Sequence, residues 1–528
     1  MSSGAGPAAP TWRGRLGWPL LAVAGGAAWG LAFDRDPWSI ASWAALAPLV
    51  VLLGAPGRAR RRFFLGWLHG WVSWLVAIPW IVPTLRTFGQ MPAAVAVACL
   101  GILAAYLGLF HGAFAALGSR VWRRGGALAL VALPGLWVAL EALRGVLFGG
   151  FPWNLAAYAW VEVPGALPVS AWIGAWGVSF LLVFANVGVA LATARRRPAW
   201  AAVGVLGPLL VLGIGARWAG APPSGLSTAA SGAPVAILQP NIENVVEADW
   251  ATIGANYRKV LAMTEEACAP GALVIWPESA AWPFSLAQDP AFREDVTALA
   301  RRGGCTLLFN SIHPAAGGRF YNSAFVVAPD GAVARYDKRK LVPFGEYVPF
   351  AGVFAFVDKL ARNAGDFQPA EELRLLPWEG ERLGVAICYE IVFPGEVAEA
   401  VREGATLLAT ITNDAWYGDT AAPWQHYAAA RFRAAENRRT VLRAAITGVS
   451  AVVEADGAER GRIGPFREGT IETRVAGREG LTPFSRAPWT VPGVAGMLAV
   501  VGLVRARYAR TAGAGRPGGG PRAPSPGG

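Results

Sequence analysis

The stretch RLGVAICYEIVFPGEVAEAVREG, residues 382–404, changes character halfway along. Its first half, up to Glu390, is a short apolar run of the kind a buried strand makes, and residues 394–404 carry a helical pattern. Cys388 stands at the junction, directly before Tyr389 and Glu390. A cysteine on an apolar strand is more often a core thiol than a nucleophile, because free cysteine packs as a small hydrophobe. The rest of the chain decides between the two.

Outward from this stretch the same alternation recurs. VAILQPNI (235–242), ALVIWPES (272–279), CTLLFNSI (305–312) and ATLLATITN (405–413) read as further buried strands, and PWQHYAAARFRAAENRRT (423–440) reads as a helix. Asp330-Gly331 and Asp456-Gly457 each sit between two strand-like runs, a strong hairpin signal. Strands alternating with helices, plus hairpins, predict an α/β domain with helices packed over sheets.

The flanks are different in kind. Of 528 residues, 54% are hydrophobic and only 16% charged. Seven apolar spans precede residue 220, at roughly 16–33, 37–54, 63–85, 91–117, 127–146, 169–194 and 199–216, and an eighth lies near 489–504. Their lengths suit membrane helices. The first, flanked by Arg13 and Arg15, could serve as a signal peptide, but the spans that follow at once favour a retained helix.

The net charge of +12 comes from arginines gathered in short loops between apolar runs, which suits membrane topology better than nucleic-acid binding. Arg13 and Arg15, Arg58 to Arg62, Arg120 to Arg124, Arg195 to Arg197 and Arg505 to Arg510 fall on alternate loops, and the opposite loops hold only Arg35, Arg86 and Arg144. The positive-inside rule assigns the rich side to the cytoplasm, so seven crossings place residues 217–488 outside. Glu141 and Arg144, three apart on one span, read as a structural pair. The aromatic cluster GGFPWNLAAYAW (149–160) reads most simply as an interfacial belt, with lipid entry as an alternative. The Gly/Pro-rich tail after Arg510 is expected to be disordered.

Three polar residues end apolar strands in the central region: Glu278 after VIWP, Lys338 in YDKRKL, and Cys388. Strand ends are where side chains from separate strands converge on a cleft. A carboxylate, an ammonium and a thiol suffice for acyl transfer through a thioester: the base takes the thiol proton and the cation stabilises the tetrahedral oxyanion. Only four of the 47 basic residues are lysines, Lys259, Lys338, Lys340 and Lys359, and the pattern cannot choose between Lys338 and Lys340. Cys99, Cys268 and Cys305 show no CxxC pair and no metal-ligand spacing, so Cys268 and Cys305 are expected to be buried thiols and no disulfide framework or metal site is expected. The loop TNDAWYGDTAAPWQH (412–426) is equally an ordinary strand-to-helix connection or, through Trp416 and Tyr417, the wall of an acyl-chain cleft.

VIWPESA, YDKRKLVPFGEYVP, ICYEIVFP and TNDAWYG resemble the nitrilase superfamily, whose triad is Glu-Lys-Cys. The LVPFGEYVP block and the surrounding spans resemble one family in particular, the apolipoprotein N-acyltransferases. That resemblance implies a polytopic α-helical membrane domain of about eight spans plus a nitrilase-like α-β-β-α sandwich. Its expected division is 1–218 for seven membrane helices, 219–480 for an extracytoplasmic catalytic domain, 481–510 for the last helix and 511–528 for the tail. It implies Glu278 as general base, Lys338 rather than Lys340 as intermediate stabiliser and Cys388 as nucleophile. Glu346, Tyr389, Glu390 and Trp250 are implied as supporting residues. Ile446, in AAITGVSA, replaces a polar residue of the family and argues against a polar role there.

The implied reaction moves an acyl chain from a membrane phospholipid, through a cysteine thioester, to the N-terminal amine of a diacylglyceryl-modified lipoprotein at the bacterial inner membrane. No cofactor, metal or nucleic acid is implied. Two alternatives are a membrane-anchored amidase with the same triad and a non-catalytic lipid-binding membrane protein.

Overall fold

The computed structural model describes residues 16–34, 40–217, 232–243, 248–343, 345–347 and 367–514. Arg13, Arg15, Arg35, Lys359 and the end of the tail lie outside the described residues.

All eight apolar stretches contain helix: Gly17–Leu31, Ser42–Ala45 with Ala47–Leu52, Ala59–Ala77 with Ile81–Thr87, Ala93–Trp122, Gly126–Arg144, Ala166–Arg195, Ala199–Arg217 and Thr490–Ala514. Among the described residues five are single helices long and apolar enough to cross a membrane. A sixth span results if Ala59–Ala77 and Ile81–Thr87, bent by 55°, count as one. The bend falls at Pro79, which has no N–H to donate to the preceding turn. Small residues let the helices touch: a Cβ on Gly70 would lie 2.8 Å from the Gly108 Cα of the helix Ala93–Trp122.

The central region forms two six-stranded sheets. The first runs β12 (Gly469–Val475), β1 (Ala233–Gln239), β2 (Leu273–Ile275), β3 (Thr306–Pro314), β4 (Phe320–Val327), β5 (Val333–Asp337). The second runs β11 (Glu459–Ile463), β10 (Ser450–Val453), β9 (Val441–Ala445), β8 (Leu407–Thr412), β7 (Glu381–Ile387), β6 (Leu376–Trp378). β1 to β3 are parallel, as are β7 to β9, and hairpins extend both sheets. Both Asp-Gly turns join antiparallel neighbours, β4 to β5 and β10 to β11.

One core lies between the sheets, where Ile237, Ile275 and Leu308 meet Leu383, Val385 and Ile411. The outer face of the first sheet is covered by Trp250–Ala267 and Pro290–Gly303. The outer face of the second carries Pro394–Arg402 and Ala422–Asn437, whose core is continuous with the membrane helices. The result is the α-β-β-α sandwich, seated on a helical bundle.

The seating is specific. Gln425 spends all its hydrogen-bonding capacity on the bundle: its Nε2 donates to the carbonyls of Phe33 (3.1 Å) and Ala77 (2.8 Å). Its Oε1 accepts from the indoles of Trp80 (3.2 Å) and Trp153 (2.7 Å). The helix Ala166–Arg195 breaks at Gly174, where φ is +64°, and Glu436 of the sandwich accepts the freed Ala175 N–H at 2.6 Å. A side chain on Gly174 would also strike the Phe484 ring at 2.6 Å.

Two expectations need correction. The 149–160 cluster is no interfacial belt: Trp153, Tyr158 and Trp160 are buried in the joint between bundle and sandwich. Arg144 shapes it by donating to the carbonyls of Phe151 (2.9 Å) and Trp153 (2.7 Å), while Glu141 accepts from Ala156 N–H at 2.8 Å. Cys268 and Cys305 are not free thiols. They form a disulfide, with Cα atoms 5.5 Å apart, that ties the end of the helix Trp250–Ala267 to the start of β3.

Candidate active site

Four loops that follow strands converge at one end of the sandwich. Glu278 lies just past β2, Lys338 just past β5, Cys388 just past β7 and Asn413 just past β8. The first two strands belong to one sheet and the last two to the other. Cys388 has φ +52°, and Ile387 and Cys388 both belong to the core between the sheets. The left-handed turn therefore breaks the period-two alternation that would send Cys388 to the helix side.

Lys338 is 1% exposed, with its Nζ 2.9 Å from Glu346 Oε1 and 3.8 Å from Glu278 Oε1. Asn322 joins the two carboxylates, its Nδ2 donating to Glu278 Oε1 at 3.0 Å and to Glu346 Oε1 at 2.7 Å. Its own Oδ1 accepts from Asn310 at 2.7 Å, which fixes the amide's orientation. The backbone N–H of Asn413 donates to Glu278 Oε2 at 3.0 Å, and that of Val342 to Glu346 Oε2 at 2.7 Å.

Electrostatics divides the roles. Burial raises the Glu278 carboxyl above its ordinary value; Lys338 opposes this and Glu346 adds to it. Burial pulls Lys338 down, but the carboxylates of Glu346 and Glu278 outweigh it and hold the ammonium charged. Burial, with the charge of Glu278, pushes the Cys388 thiol up, against the pull of Lys338. The site thus holds a protonated thiol, a carboxyl raised above its ordinary value and a charged ammonium.

Glu390 is a strut. Its Oε1 accepts from Tyr336 Oη (2.9 Å), Arg339 N (2.7 Å) and Lys340 N (3.1 Å), and its Oε2 from Ile387 N (2.8 Å). One carboxylate so ties the Lys338 loop to the Cys388 turn. Tyr389 faces the bundle, donating to the Gly150 carbonyl at 3.1 Å and stacking on Trp153. Lys340 pairs with Glu396 at 3.2 Å on the half-exposed side. Trp250 is not brought in: it begins an outer helix and is 73% exposed. Ile446 is 2% exposed and packs as core. Trp416 and Tyr417 dock the TNDAWYG loop on the bundle, the first against Phe88 (4.4 Å) and the second against Trp80 (4.8 Å).

Sequence reasoning missed Asn322, Asn413 and Tyr336, and a buried group behind the cysteine formed by Asp414, His426 and Arg443. Asn413 and Asp414 lie within the quoted TNDAWYG, Tyr336 opens the quoted YDKRKLVPFGEYVP and His426 ends the quoted TNDAWYGDTAAPWQH; Asn322 and Arg443 carried no local sign. Among the described residues no cluster of three or more His, Cys, Asp or Glu could hold a metal.

Residues 25–188 match the apolipoprotein N-acyltransferase N-terminal domain, and residues 234–480 match the carbon-nitrogen hydrolase family. An apolipoprotein N-acyltransferase of Geobacter metallireducens is 35% identical over 88% of this chain and 91% of its own length. One of Ralstonia nicotianae is 34% identical over 96% of each. Among solved structures, an amidase from Nesterenkonia sp. aligns with a TM-score of 0.36 and 23% identity over 50% of this chain and 96% of its own. A CN-hydrolase superfamily protein of Xanthomonas campestris aligns with a TM-score of 0.36 and 22% identity over 46% and 90%.

Proposed function

This chain belongs to the apolipoprotein N-acyltransferase family, and we propose that its acyl transfer runs through Cys388. Cys388 Sγ adds to the ester carbonyl of a membrane phospholipid while Glu278 takes the thiol proton. The carbonyl oxygen, now an oxyanion, faces the Lys338 ammonium. The bond to the glycerol oxygen breaks, that oxygen takes the proton back from Glu278, and a lysophospholipid departs from an acyl-cysteine thioester. The α-amino group of a diacylglyceryl-modified N-terminal cysteine then adds to the thioester carbonyl and gives a proton to Glu278. The carbon–sulfur bond breaks, the thiol regains its proton, and the acyl chain leaves as an amide.

The observation that carries this reading is the buried contact of Glu278, Lys338 and Glu346 at the strand ends that also present Cys388. The architecture gives a reason for the membrane bundle. Both proposed substrates are lipid-anchored, and lifting a chain from the bilayer costs about 0.8 kcal/mol per methylene. A site at the bilayer surface avoids that cost.

The proposed setting is the outer face of the bacterial inner membrane, with residues 1–218 and 481–510 as the membrane part, 219–480 as the catalytic part and 511–528 as a tail. Two features support it. The arginine-rich helix ends gather at one end of the bundle, where Arg195 donates to the Trp122 carbonyl (3.4 Å) and Arg124 to that of Ala506 (3.4 Å). The sandwich docks through other segments, Trp80, Thr84 and Gly150. The Cys268–Cys305 disulfide likewise suits an oxidising compartment.

The test is intact-mass measurement of the purified protein after incubation with phospholipid in detergent. One acyl adduct, mapped to Cys388, cleaved by neutral hydroxylamine and lost in Cys388→Ala, is expected. An adduct on another residue, or one that persists in Cys388→Ala, refutes the assignment.

A further inference from the structure

The backbone of Cys388 is gripped from two sides. On one side the Ile387 N–H is held by Glu390. On the other, the helix Ala422–Asn437 brings His426 Nε2 to 3.0 Å from the Cys388 carbonyl oxygen. A carbonyl only accepts, so Nε2 carries the proton whatever the state of Nδ1. The opposite edge of the ring is seated as firmly: Nδ1 lies 3.0 Å from Asp414 Oδ1 and 3.2 Å from Arg443 Nη2. Asp414 is itself held by Thr412 Oγ1 (2.9 Å) and Arg443 Nη2 (2.7 Å), and all three of Asp414, His426 and Arg443 are inaccessible to solvent.

A buried ion pair of this kind is weak evidence for stability, because desolvation offsets the attraction. Here its bond from His426 reaches the backbone of the residue that bears the sulfur, beside the route by which Thr412 and Asn413 join Asp414 to the same site. The neighbouring Gln425 fixes the same helix to the bundle, and Trp153 stacks on the His426 ring at 5.4 Å.

We propose that His426, oriented by Asp414 and Arg443, is a positioning residue for the nucleophile: it locks the left-handed turn of Cys388 and so sets where Sγ stands relative to Glu278 and Lys338. This rests on the reading of Cys388 as the nucleophile. His426 touches neither substrate nor sulfur in this role. It sets where the sulfur stands, and a misplacement of about 1 Å can cost on the order of a hundredfold in rate.

The experiment compares His426→Gln with His426→Asn in the full-length protein, mixed with phospholipid in detergent micelles in a single turnover. A glutamine amide reaches the Nε2 position; an asparagine amide reaches only Nδ1. Expected is adduct formation on Cys388 within about threefold of wild type for Gln and about a hundredfold slower for Asn, at an unchanged half-saturating lipid concentration. Equal rates for the two variants overturn the proposal, as does a change confined to half-saturating lipid or to the unfolding temperature. Should either variant fail to fold, Asp414→Asn gives the same reading: slowed adduct formation at unchanged half-saturation supports positioning, and a wild-type rate overturns it. Wild-type protein with no adduct on Cys388 would instead refute the nucleophile assignment itself.

Discussion

Replacing Glu390 by glutamine removes one negative charge and almost no volume from the strut between the two catalytic loops. Three donors, Tyr336 Oη, Arg339 N and Lys340 N, converge on Oε1, so the amide oxygen of glutamine settles there. The amide nitrogen then faces the Ile387 N–H, which loses its acceptor at 2.8 Å. A hydrogen bond to a charged group contributes about 1.5–3 kcal/mol, and a buried donor left unpaired costs a similar amount. Alanine would forfeit all four bonds, nominally about 6–12 kcal/mol, comparable with the whole stability of a domain. Glutamine is therefore the informative variant, because it forfeits one bond rather than four.

The lost bond sits one residue before Cys388, and the three weakened ones flank Lys338, from Tyr336 two residues before it and from Arg339 and Lys340 directly after it. If the loss appears fully in the transition state, about 1.5–3 kcal/mol slows acylation by about 10- to 150-fold. The assay is the single-turnover rate of adduct formation on Cys388 against phospholipid concentration, beside a thermal melt. The expected result is a lower limiting rate with half-saturation within about twofold of wild type. A wild-type limiting rate with a lowered melting temperature would show that Glu390 serves the fold alone. A raised half-saturation at an unchanged limiting rate would show that it serves lipid binding. Either refutes the strut.

Three further expectations concern charge and covalent structure. Glu278 acts as a base only when deprotonated, and its carboxyl is raised, so acylation should fall as pH drops through a value above the ordinary glutamate range. Glu346→Gln removes a charge that raises Glu278 and frees Lys338 to pair with it, so the acid limb of the pH–rate profile should move to lower pH; a limb that stays or rises contradicts the coupling. Reducing the Cys268–Cys305 bridge, with a sequence separation of 37, should lower stability by about 4 kcal/mol on loop-closure grounds. Denaturant unfolding with and without reductant measures it, and coincident curves would show that the bridge constrains nothing.

What could be read in advance follows from how local each cause is. Glu278 and Cys388 were legible as strand-end residues because each ends an apolar strand, and strand ends in layered α/β folds share one edge; choosing Lys338 over Lys340 took the resemblance. Glu346 and Glu390 were legible only through resemblance, since what they do depends on donors from other loops. The disulfide joins a helix end to a strand start across a separation of 37 residues, and neither cysteine sits in a paired spacing. The helix Ala422–Asn437 is buried on nearly every side, so no polar stripe marks His426 as different from a core residue. Trp153 and Tyr158 misled for a related reason. An aromatic cluster at the end of a membrane span looks the same whether it meets lipid headgroups or a docked domain, and only the partner surface tells them apart. That surface is built from Gln425, His426 and Tyr389, residues more than two hundred positions away. The chemistry was thus written in short stretches. The contacts that hold the Cys388 turn, from His426 and Tyr389, lie where sandwich and bundle meet, a boundary that no short stretch of the chain contains.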